Sequence, residues 1–239
     1  MILAEGISRR SGRDDTVFSR QLDIIPQDKL VENAFTVIGA GSLGSCIANT
    51  LAMMGAETLR LFDDDTVEIR NLGVQLVGQK HVGKLKVEAV KLTIRQLHGM
   101  DIQPYAERYT ADKDAFGYMI SAVDHMDART EIWKAIKANF LKVPLYIDTR
   151  AGGRQATILI VDPSDKDLGN QYEKDWIFPQ AEGLPERCTE KMTTYVPWSV
   201  AGEVGALIVN HLRGETLPYQ IHIDTVTHQH VMIPHPFRE

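Results

Sequence analysis

The fold is indicated by residues 35–44, which read Phe35-Thr36-Val37-Ile38-Gly39-Ala40-Gly41-Ser42-Leu43-Gly44. An apolar run leads into a Gly-x-Gly-x-x-Gly turn, and apolar residues then recur at helical spacing through Met54. Glycines allow a tight turn and the close approach of a phosphate, and a helix that starts at Ser42 offers unpaired amide N–H groups. We therefore predict a strand, a turn and a helix, with a nucleotide bound at Gly39, Gly41, Ser42 and Gly44.

A second apolar strand, Thr58–Phe62, follows that helix and ends on three acids, Asp63, Asp64 and Asp65. In nucleotide-binding βαβ units, an acid roughly twenty residues beyond the glycines accepts hydrogen bonds from ribose hydroxyls. We therefore predict that residues 34–64 form such a unit and that Asp63 contacts the ribose.

The rest of the chain alternates between short apolar runs and amphipathic segments, a pattern typical of a sheet covered by helices. It predicts strands over 102–109, 115–123 and 144–148, and helices over 84–97, 126–140 and 198–212. A strand over 155–161 follows Gly152 and Gly153 too closely for a helical crossover, so we predict it to be antiparallel. The pattern from Tyr219 onward predicts an edge strand or hairpin.

These elements predict an α/β fold, a doubly wound and mostly parallel Rossmann-like sheet with antiparallel C-terminal strands. The 239 residues suit one domain, 1–239, with an N-terminal arm and short helix over 1–33. Residues 164–197 are mostly polar and turn-rich, and we predict one long crossover-type loop there, which is usually functional or mobile.

Polar residues follow the predicted ends of the parallel strands. Ligands of doubly wound sheets bind outside the carboxyl ends of the strands. Gly41, Asp63, Asp124 and Arg150 each follow such an end. We expect all four to face one crevice.

Composition and charge exclude several classes of protein. The formal net charge is −6 with no basic stripe, so nucleic acid is not an expected partner. No segment reaches the roughly twenty apolar residues of a membrane span, and the N-terminus lacks a signal-peptide pattern. Two cysteines, Cys46 and Cys188, exclude a four-cysteine zinc site and argue against a structural disulfide. We expect a cytoplasmic protein without a zinc site.

Further motifs lie downstream of Asp63 in a characteristic order. They comprise Asp65-Thr66-Val67-Glu68-Ile69-Arg70-Asn71-Leu72-Gly73-Val74-Gln75, Gly83-Lys84-Leu85-Lys86-Val87-Glu88-Ala89 and Ser121-Ala122-Val123-Asp124, with Phe18-Ser19-Arg20-Gln21 near the N-terminus. Together with the glycine turn, this order resembles the ThiF/MoeB/HesA family, the prokaryotic relatives of ubiquitin-activating enzymes. The resemblance extends from about Phe18 to Leu212.

The resemblance implies an enzyme that uses ATP and Mg²⁺ to adenylate the C-terminal carboxylate of a ubiquitin-like or sulfur-carrier protein ending in Gly-Gly, with release of pyrophosphate. It implies that Asp63 binds the ribose, Lys86 and Asn71 the phosphates, and Asp124 the Mg²⁺. The same resemblance places Asp65, Arg70 and Gln75 along the nucleotide. It also implies a homodimer, in which Arg20 is a candidate to reach the terminal phosphates across the interface.

One position departs from the family pattern. The family usually has Asn-Leu-x-Arg-Gln, whereas this chain has Val74 in place of the arginine. A valine cannot neutralise phosphate charge, which leaves three alternatives. Either Arg70 replaces the missing cation, or turnover is weak, or the chain is a catalytically silent subunit that binds nucleotide or carrier.

Two further residues are candidates with ordinary alternatives. Cys188 is followed by Thr189, as in the mobile loop of ubiquitin-activating enzymes, so it is a candidate thioester or persulfide acceptor or else a loop residue. Arg150 is a candidate for binding the substrate tail, or else pairs with Asp148 or Glu203.

The glycine turn alone is also compatible with an NAD-dependent oxidoreductase. In such an enzyme Asn71, Lys86 and Asp124 would share no common task. We therefore expect the adenylyltransferase and keep the oxidoreductase as the weaker hypothesis.

Overall fold

A computed structural model describes residues 15–179 and 192–237 of the chain. The strands are β1 (Ala34–Ile38), β2 (Thr58–Phe62), β3 (Gln103–Tyr105), β4 (Tyr118–Ser121), β5 (Tyr146–Gly152), β6 (Gln155–Val161), β7 (Gln220–Asp224) and β8 (Gln229–Ile233). The helices are α1 (Gln27–Glu32), α2 (Ser42–Met54), α3 (Lys86–His98), α4 (Met126–Ala138), α5 (Lys166–Trp176) and α6 (Tyr195–Arg213).

The strands form one eight-stranded sheet in the order β3-β2-β1-β4-β5-β6-β7-β8. The pairs from β3 to β5 are parallel, and those from β5 to β8 are antiparallel. The direction changes at the turn after Gly152, where Gly153 has a φ of +57° that suits glycine. The predicted fold class is therefore confirmed, including its antiparallel C-terminal strands.

Helices cover both faces of the sheet because successive strand residues point to opposite faces. Val37 and Ile147 pack with α2, α3 and α6 in one apolar core, whereas Ile38 and Tyr146 pack with α4 and α5 in the other. Helices α2 and α6 lie against each other, and Gly205 of α6 comes close to Thr50 and Met54 of α2.

The predicted loop over 164–197 is partly wrong, because residues 166–176 form helix α5. The Asp165 side chain caps this helix by accepting a hydrogen bond from the Leu168 amide at 3.1 Å. Its buried side is narrow, with Leu168 and Tyr172 as the buried large side chains, so the apolar period is weak in the sequence. Residues 180–191 of the predicted loop lie outside the described residues.

Several predicted boundaries also move, among them the start of β4 at Tyr118 and the end of β5 at Gly152. Helix α6 begins at Tyr195, three residues before the predicted start, and the third strand covers only Gln103–Tyr105. Among the residues that the structure describes, no helix combines the length and apolarity needed to cross a membrane.

Candidate functional site

The register of the parallel strands brings their carboxyl ends into one row. Ile38 of β1 pairs with Phe62 of β2 and with Ser121 of β4, and Ser121 pairs with Asp148 of β5. The chain therefore leaves all four strands at the same edge of the sheet. The segments that follow carry the glycine turn, Asp63 and Asp124, while Arg150 lies at the same end of β5, which continues to Gly152.

Each glycine of the turn has a different physical role. Gly39 has a φ of +97°, and a Cβ there would lie 2.5 Å from the Ala122 carbonyl oxygen. A Cβ on Gly44 would overlap the Gly39 carbonyl, so helix α2 packs directly against the turn. At Gly41, by contrast, a Cβ would meet no atom of residues 15–179 and 192–237 within 4 Å. The open space beside the turn therefore lies at Gly41.

The start of helix α2 faces this open space without a side-chain cap. Gly41 is the N-cap residue and Ser42 the first helical residue, and among the described residues no side-chain cap is present. The first amide N–H groups of a helix have no partner within the helix. The turn can therefore donate hydrogen bonds to an anion at the positive end of the helix dipole.

Asp63 is held in place by backbone hydrogen bonds. Its Oδ2 accepts from the Ala40 amide at 2.7 Å and its Oδ1 from the Asp65 amide at 2.8 Å. Burial raises the pKa of the Asp63 carboxyl, an effect that the nearby Lys86 charge and these two hydrogen bonds oppose. Each carboxylate oxygen can accept a second hydrogen bond, so Asp63 keeps capacity for two ribose hydroxyls.

Lys86 is the first residue of helix α3 and joins this helix to the loop after β2. Its Nζ lies 2.6 Å from Asp65 Oδ2, and its amide donates to the Asp65 carbonyl at 2.9 Å. The Lys86 side chain is only 12% exposed, whereas that of Asp65 is 64% exposed. Lys86 is thus a partly buried cation in contact with the Asp63–Asp65 loop.

The three acids of this loop also lie close together. One carboxylate oxygen from each of Asp63, Asp64 and Asp65 lies within 4.8 Å of the others. Arg108 pairs with Asp64 at 2.9 Å, and Lys86 pairs with Asp65. These two cations already compensate two of the acids, which accounts for the cluster without a metal ion.

The segment around Asn71 forms a short 3₁₀ turn, Ile69–Asn71. Asn71 Oδ1 accepts from the Glu68 amide at 2.8 Å, which leaves the Asn71 NH₂ group as a donor. The exposed guanidinium of Arg70 pairs with Glu68 at 2.6 Å, and replacement of the missing arginine by Arg70 stays a prediction.

Gln75 lies beside the start of helix α2. The next residue, Leu76, donates its amide to Ser45 Oγ at 3.0 Å. The Gln75 Oε1 atom is buried and has no hydrogen-bond partner within residues 15–179 and 192–237. A buried polar atom without a partner is costly. The place of Gln75 along a nucleotide stays a prediction.

Asp124 is presented to solvent. Its side chain is 87% exposed, and its ion-pair contact among the described residues is His125 at 3.7 Å. His125, and not Asp124, occupies the N-cap position of helix α4. The carboxylate is therefore available for a ligand.

Arg150 lies in a buried polar cluster, here called the Asp148 cluster, made of Ser121, Arg129, Tyr146, Asp148, Arg150 and Tyr172. Arg150 Nε and Nη2 donate to Asp148 Oδ2 at 2.9 and 2.7 Å, and Nη2 also donates to the Trp176 carbonyl at 2.8 Å. The ion pair with Asp148 that the sequence left as an alternative is therefore present. Binding of a substrate tail by Arg150 stays a prediction.

Asp148 is the fully buried centre of the cluster. Ser121 Oγ donates to its Oδ1 at 2.6 Å, Tyr172 donates to its Oδ2 at 3.0 Å, and Arg129 pairs with its Oδ1. Burial by itself would raise the pKa of the Asp148 carboxyl, but the guanidinium groups of Arg129 and Arg150 hold it below its ordinary value. Burial raises the pKa of Tyr172, so this phenol is a neutral donor.

Arg129 is the residue that the sequence reasoning missed. It lies on the buried side of helix α4, in line with Met126, Ile132 and Trp133. An arginine within an apolar stripe is the signal that indicates a buried charge, since such a charge needs a buried partner. That partner, Asp148, became visible only in the folded chain.

One predicted site residue is not brought to this edge. Arg20 lies beside the far end of helix α2, where the neighbouring Gln21 donates to the Met53 carbonyl at 3.1 Å. Helix α2 has 13 residues and so separates this position from the glycine turn by about 20 Å. Cys188 lies outside the described residues.

The family profile of ThiF matches residues 15–236 of the chain. The sulfur carrier protein ThiS adenylyltransferase of Escherichia coli is 34% identical over 164 residues, which cover 63% of this chain and 64% of that protein. The molybdopterin-synthase adenylyltransferase of Haemophilus influenzae is 26% identical over 136 residues, which cover 54% of this chain and 55% of that protein.

The chain spans less than two thirds of the length of the curated relatives that it matches. The crystal structure of PaaA is similar with a TM-score of 0.74 at 20% identity, over 98% of this chain and 77% of that one. This likeness concerns the fold.

Proposed function

Because the chain belongs to the ThiF family, we propose that it adenylates the C-terminal carboxylate of a ubiquitin-like or sulfur-carrier protein that ends in Gly-Gly. The proposal is carried by one observation. The strand register gathers the glycine turn, Asp63 and Asp124 at one edge of the sheet, and Lys86 reaches the Asp63–Asp65 loop there. The oxidoreductase hypothesis is set aside, since the named relatives are adenylyltransferases.

The nucleotide would occupy the space beside Gly41. The free amides at the start of α2 would donate to its phosphates, and Asp63 would accept hydrogen bonds from its ribose. Lys86 would turn from Asp65 toward a phosphate oxygen, because an exposed partner such as Asp65 holds a lysine only weakly. The buried Oε1 of Gln75 and the open space at Gly41 support this placement.

The reaction needs no general base. The attacking carboxylate is ionised at neutral pH. One of its oxygens bonds to the α-phosphorus of ATP, and the bond from that phosphorus to the bridging oxygen breaks. Pyrophosphate leaves with the electron pair, and an acyl adenylate remains. Catalysis then consists of positioning and charge neutralisation, which are the tasks of the α2 amides and Lys86.

Asp124 is the proposed residue for Mg²⁺. Carboxylate oxygens and substrate phosphates are the ligands that Mg²⁺ takes in such sites, and the ion would neutralise phosphate charge when bound. The exposed carboxylate of Asp124, whose ion-pair contact among the described residues is His125, fits this task.

Arg20 is proposed to act across a homodimer. Within one chain the length of helix α2 separates it from the glycine turn, so it cannot reach its own phosphates. Arg20 of a partner subunit would add a cation at the site, where Val74 supplies none.

A catalytically silent subunit is the second candidate. It is favoured by Val74, which supplies no cation at a position where the family usually has an arginine. Such a chain would bind ATP without turnover. A thioester on Cys188 stays a separate proposal that the described residues do not bear on.

ATP–pyrophosphate exchange with purified carrier proteins tests the function. We expect exchange with at least one carrier and a loss of at least about 100-fold in Lys86→Ala and Asp124→Ala, as for other residues that stabilise transition-state charge. Lys91→Ala is the matched control, since Lys91 lies on the same helix and pairs with Asp101.

Calorimetry separates the alternatives. ATP binding in the presence of Mg²⁺ without exchange for any carrier would support the silent subunit, and binding of NADH in place of ATP would refute both proposals.

A further inference from the structure

Arg129 contacts the loop that leaves the carboxyl end of β4 and the neighbouring strand β5. Its Nη2 donates to the Val123 carbonyl and, at 3.3 Å, to the Thr149 carbonyl, while Nη1 pairs with Asp148. The side chain is 6% exposed, so these bonds are shielded from water. Arg129 thus joins the segment before Asp124 to the neighbouring strand.

The same segment is held from the other side by the glycine turn. The Ala122 amide donates to the Ile38 carbonyl at 2.7 Å, and the Ala122 carbonyl lies against Gly39, with no room for a side chain. Ala122 and Val123 are therefore fixed between Arg129 and the nucleotide turn. The next residue, Asp124, has an exposed side chain whose ion-pair contact among the described residues is His125.

We infer that Arg129 is a positioning residue that fixes the peptide between Val123 and Asp124, so that the Asp124 carboxylate meets a metal-bound triphosphate in a fixed place. The Val123 carbonyl belongs to the planar peptide group that carries the Asp124 amide. Fixing that carbonyl limits where the Asp124 Cα can lie, although the carboxylate itself has few contacts. The inference rests on the proposed function and deepens it.

Asp148 is the anchor of Arg129. It is fully buried and also held by Ser121, Tyr172 and Arg150, so its position is determined by four neighbouring side chains including Arg129. The planar guanidinium can donate to Asp148 and to two backbone carbonyls together, whereas a lysine ammonium is a compact point charge on a flexible stem. Arg129→Lys therefore keeps the charge and removes the bridge.

Hydrogen exchange of the protein without ligands provides the first readout. We expect Arg129→Lys to raise amide exchange at least about 10-fold in the peptide that covers residues 121–126. Thr149→Val is the control, because it removes a different buried bond of the same edge, from Thr149 Oγ1 to the Ser121 carbonyl at 2.7 Å, and should leave exchange of the Asp124 and His125 amides unchanged. Unchanged exchange at residues 121–126 in Arg129→Lys would overturn the inference.

Calorimetric titration of ATP at a series of Mg²⁺ concentrations provides the second readout. We expect Arg129→Lys to raise the Mg²⁺ concentration needed for half-maximal tightening of ATP binding about 10-fold, in the same direction as Asp124→Asn. Because Arg129 acts through Asp124, the double variant that carries Arg129→Lys and Asp124→Asn should bind ATP in the presence of Mg²⁺ no more weakly than Asp124→Asn alone. Thr149→Val should lower the melting temperature without changing the Mg²⁺ dependence.

The outcomes distinguish the two proposals. Additive losses of ATP affinity in the double variant, or an unchanged Mg²⁺ dependence of ATP binding in Arg129→Lys, would show that Arg129 has a structural role only. If the unmodified protein binds no ATP with Mg²⁺, the proposed function fails, and the exchange experiment still decides whether Arg129 anchors Val123 and Asp124.

Discussion

The contrast between Gly41 and Gly44 gives the most direct test of where a nucleotide lies. A Cβ on Gly41 would meet no atom of the described part of the chain within 4 Å, and the Gly41 φ of −74° suits any L-residue. Gly41→Ala should therefore leave the fold intact, and the reduced freedom of the unfolded chain should stabilise it by about 0.4–1 kcal/mol. In a chain of this size that amount raises the melting temperature by roughly 1–4 °C.

The same methyl group would occupy the space that we assign to a phosphate. Forcing a methylene into a filled site costs about 1–3 kcal/mol. If ATP binding is weakened by that free energy, the affinity for ATP falls by about 5- to 150-fold. We therefore expect Gly41→Ala to separate stability from binding, with an unchanged or higher melting temperature and weaker ATP binding by calorimetry.

Gly44→Ala is the opposite case. Its Cβ would overlap the Gly39 carbonyl, far inside the 3.0 Å that real Cβ atoms keep. We expect a loss of at least about 2 kcal/mol of stability, because the obstructing atom is backbone and cannot rotate away. If Gly41→Ala binds ATP as tightly as the unmodified protein, the space beside Gly41 is not the phosphate site and the reasoning fails.

Three further predictions follow from the buried and distant residues. Asp148→Asn should lower the free energy of unfolding, measured with urea, by about 3–5 kcal/mol relative to the unmodified protein, because two guanidinium groups lose their carboxylate. Since the folded pKa of Asp148 lies below the unfolded value of 3.8, this difference should hold at pH 7 and shrink only as the pH falls below about 4; a constant difference down to pH 2 would contradict the assignment. Mixing Arg20→Ala and Asp124→Ala subunits should restore about a quarter of the exchange activity if Arg20 acts across a two-fold dimer, and no recovery would place it elsewhere. Burial raises the pKa of Cys46 to about 11, so mass spectrometry should find Cys46 unmodified after native alkylation at pH 8, and rapid alkylation there would refute its buried position.

Much of the fold could be predicted because its signals are local. The Gly-x-Gly-x-x-Gly turn and the flanking apolar periods placed β1, α2 and β2 with nearly the observed bounds. Gly152 and Gly153, at the end of β5, indicated the change to antiparallel pairing. Helix α5 was missed because only a narrow stripe of it is buried, and a weak apolar period does not distinguish a helix from a polar loop.

The candidate site could be predicted in part. Strand ends are local features, and parallel strands share an edge, so the sequence predicted that Asp63 and Asp124 leave the sheet on the same side. It did not predict that Lys86 pairs with Asp65, nor that Arg70 pairs with Glu68. Those contacts depend on how two loops fold back on α3 and on each other.

The sequence by itself determined the order of strands and helices and the presence of a nucleotide turn, because glycine conformations and apolar periods act over a few residues. Only the tertiary structure decided that Arg129 of α4 meets Asp148 of β5 and that Arg20 lies a helix length from the turn. Both facts depend on strand register and on the rotation of a helix about its axis. Packing between residues far apart in the chain sets these quantities, and no short stretch of sequence contains them.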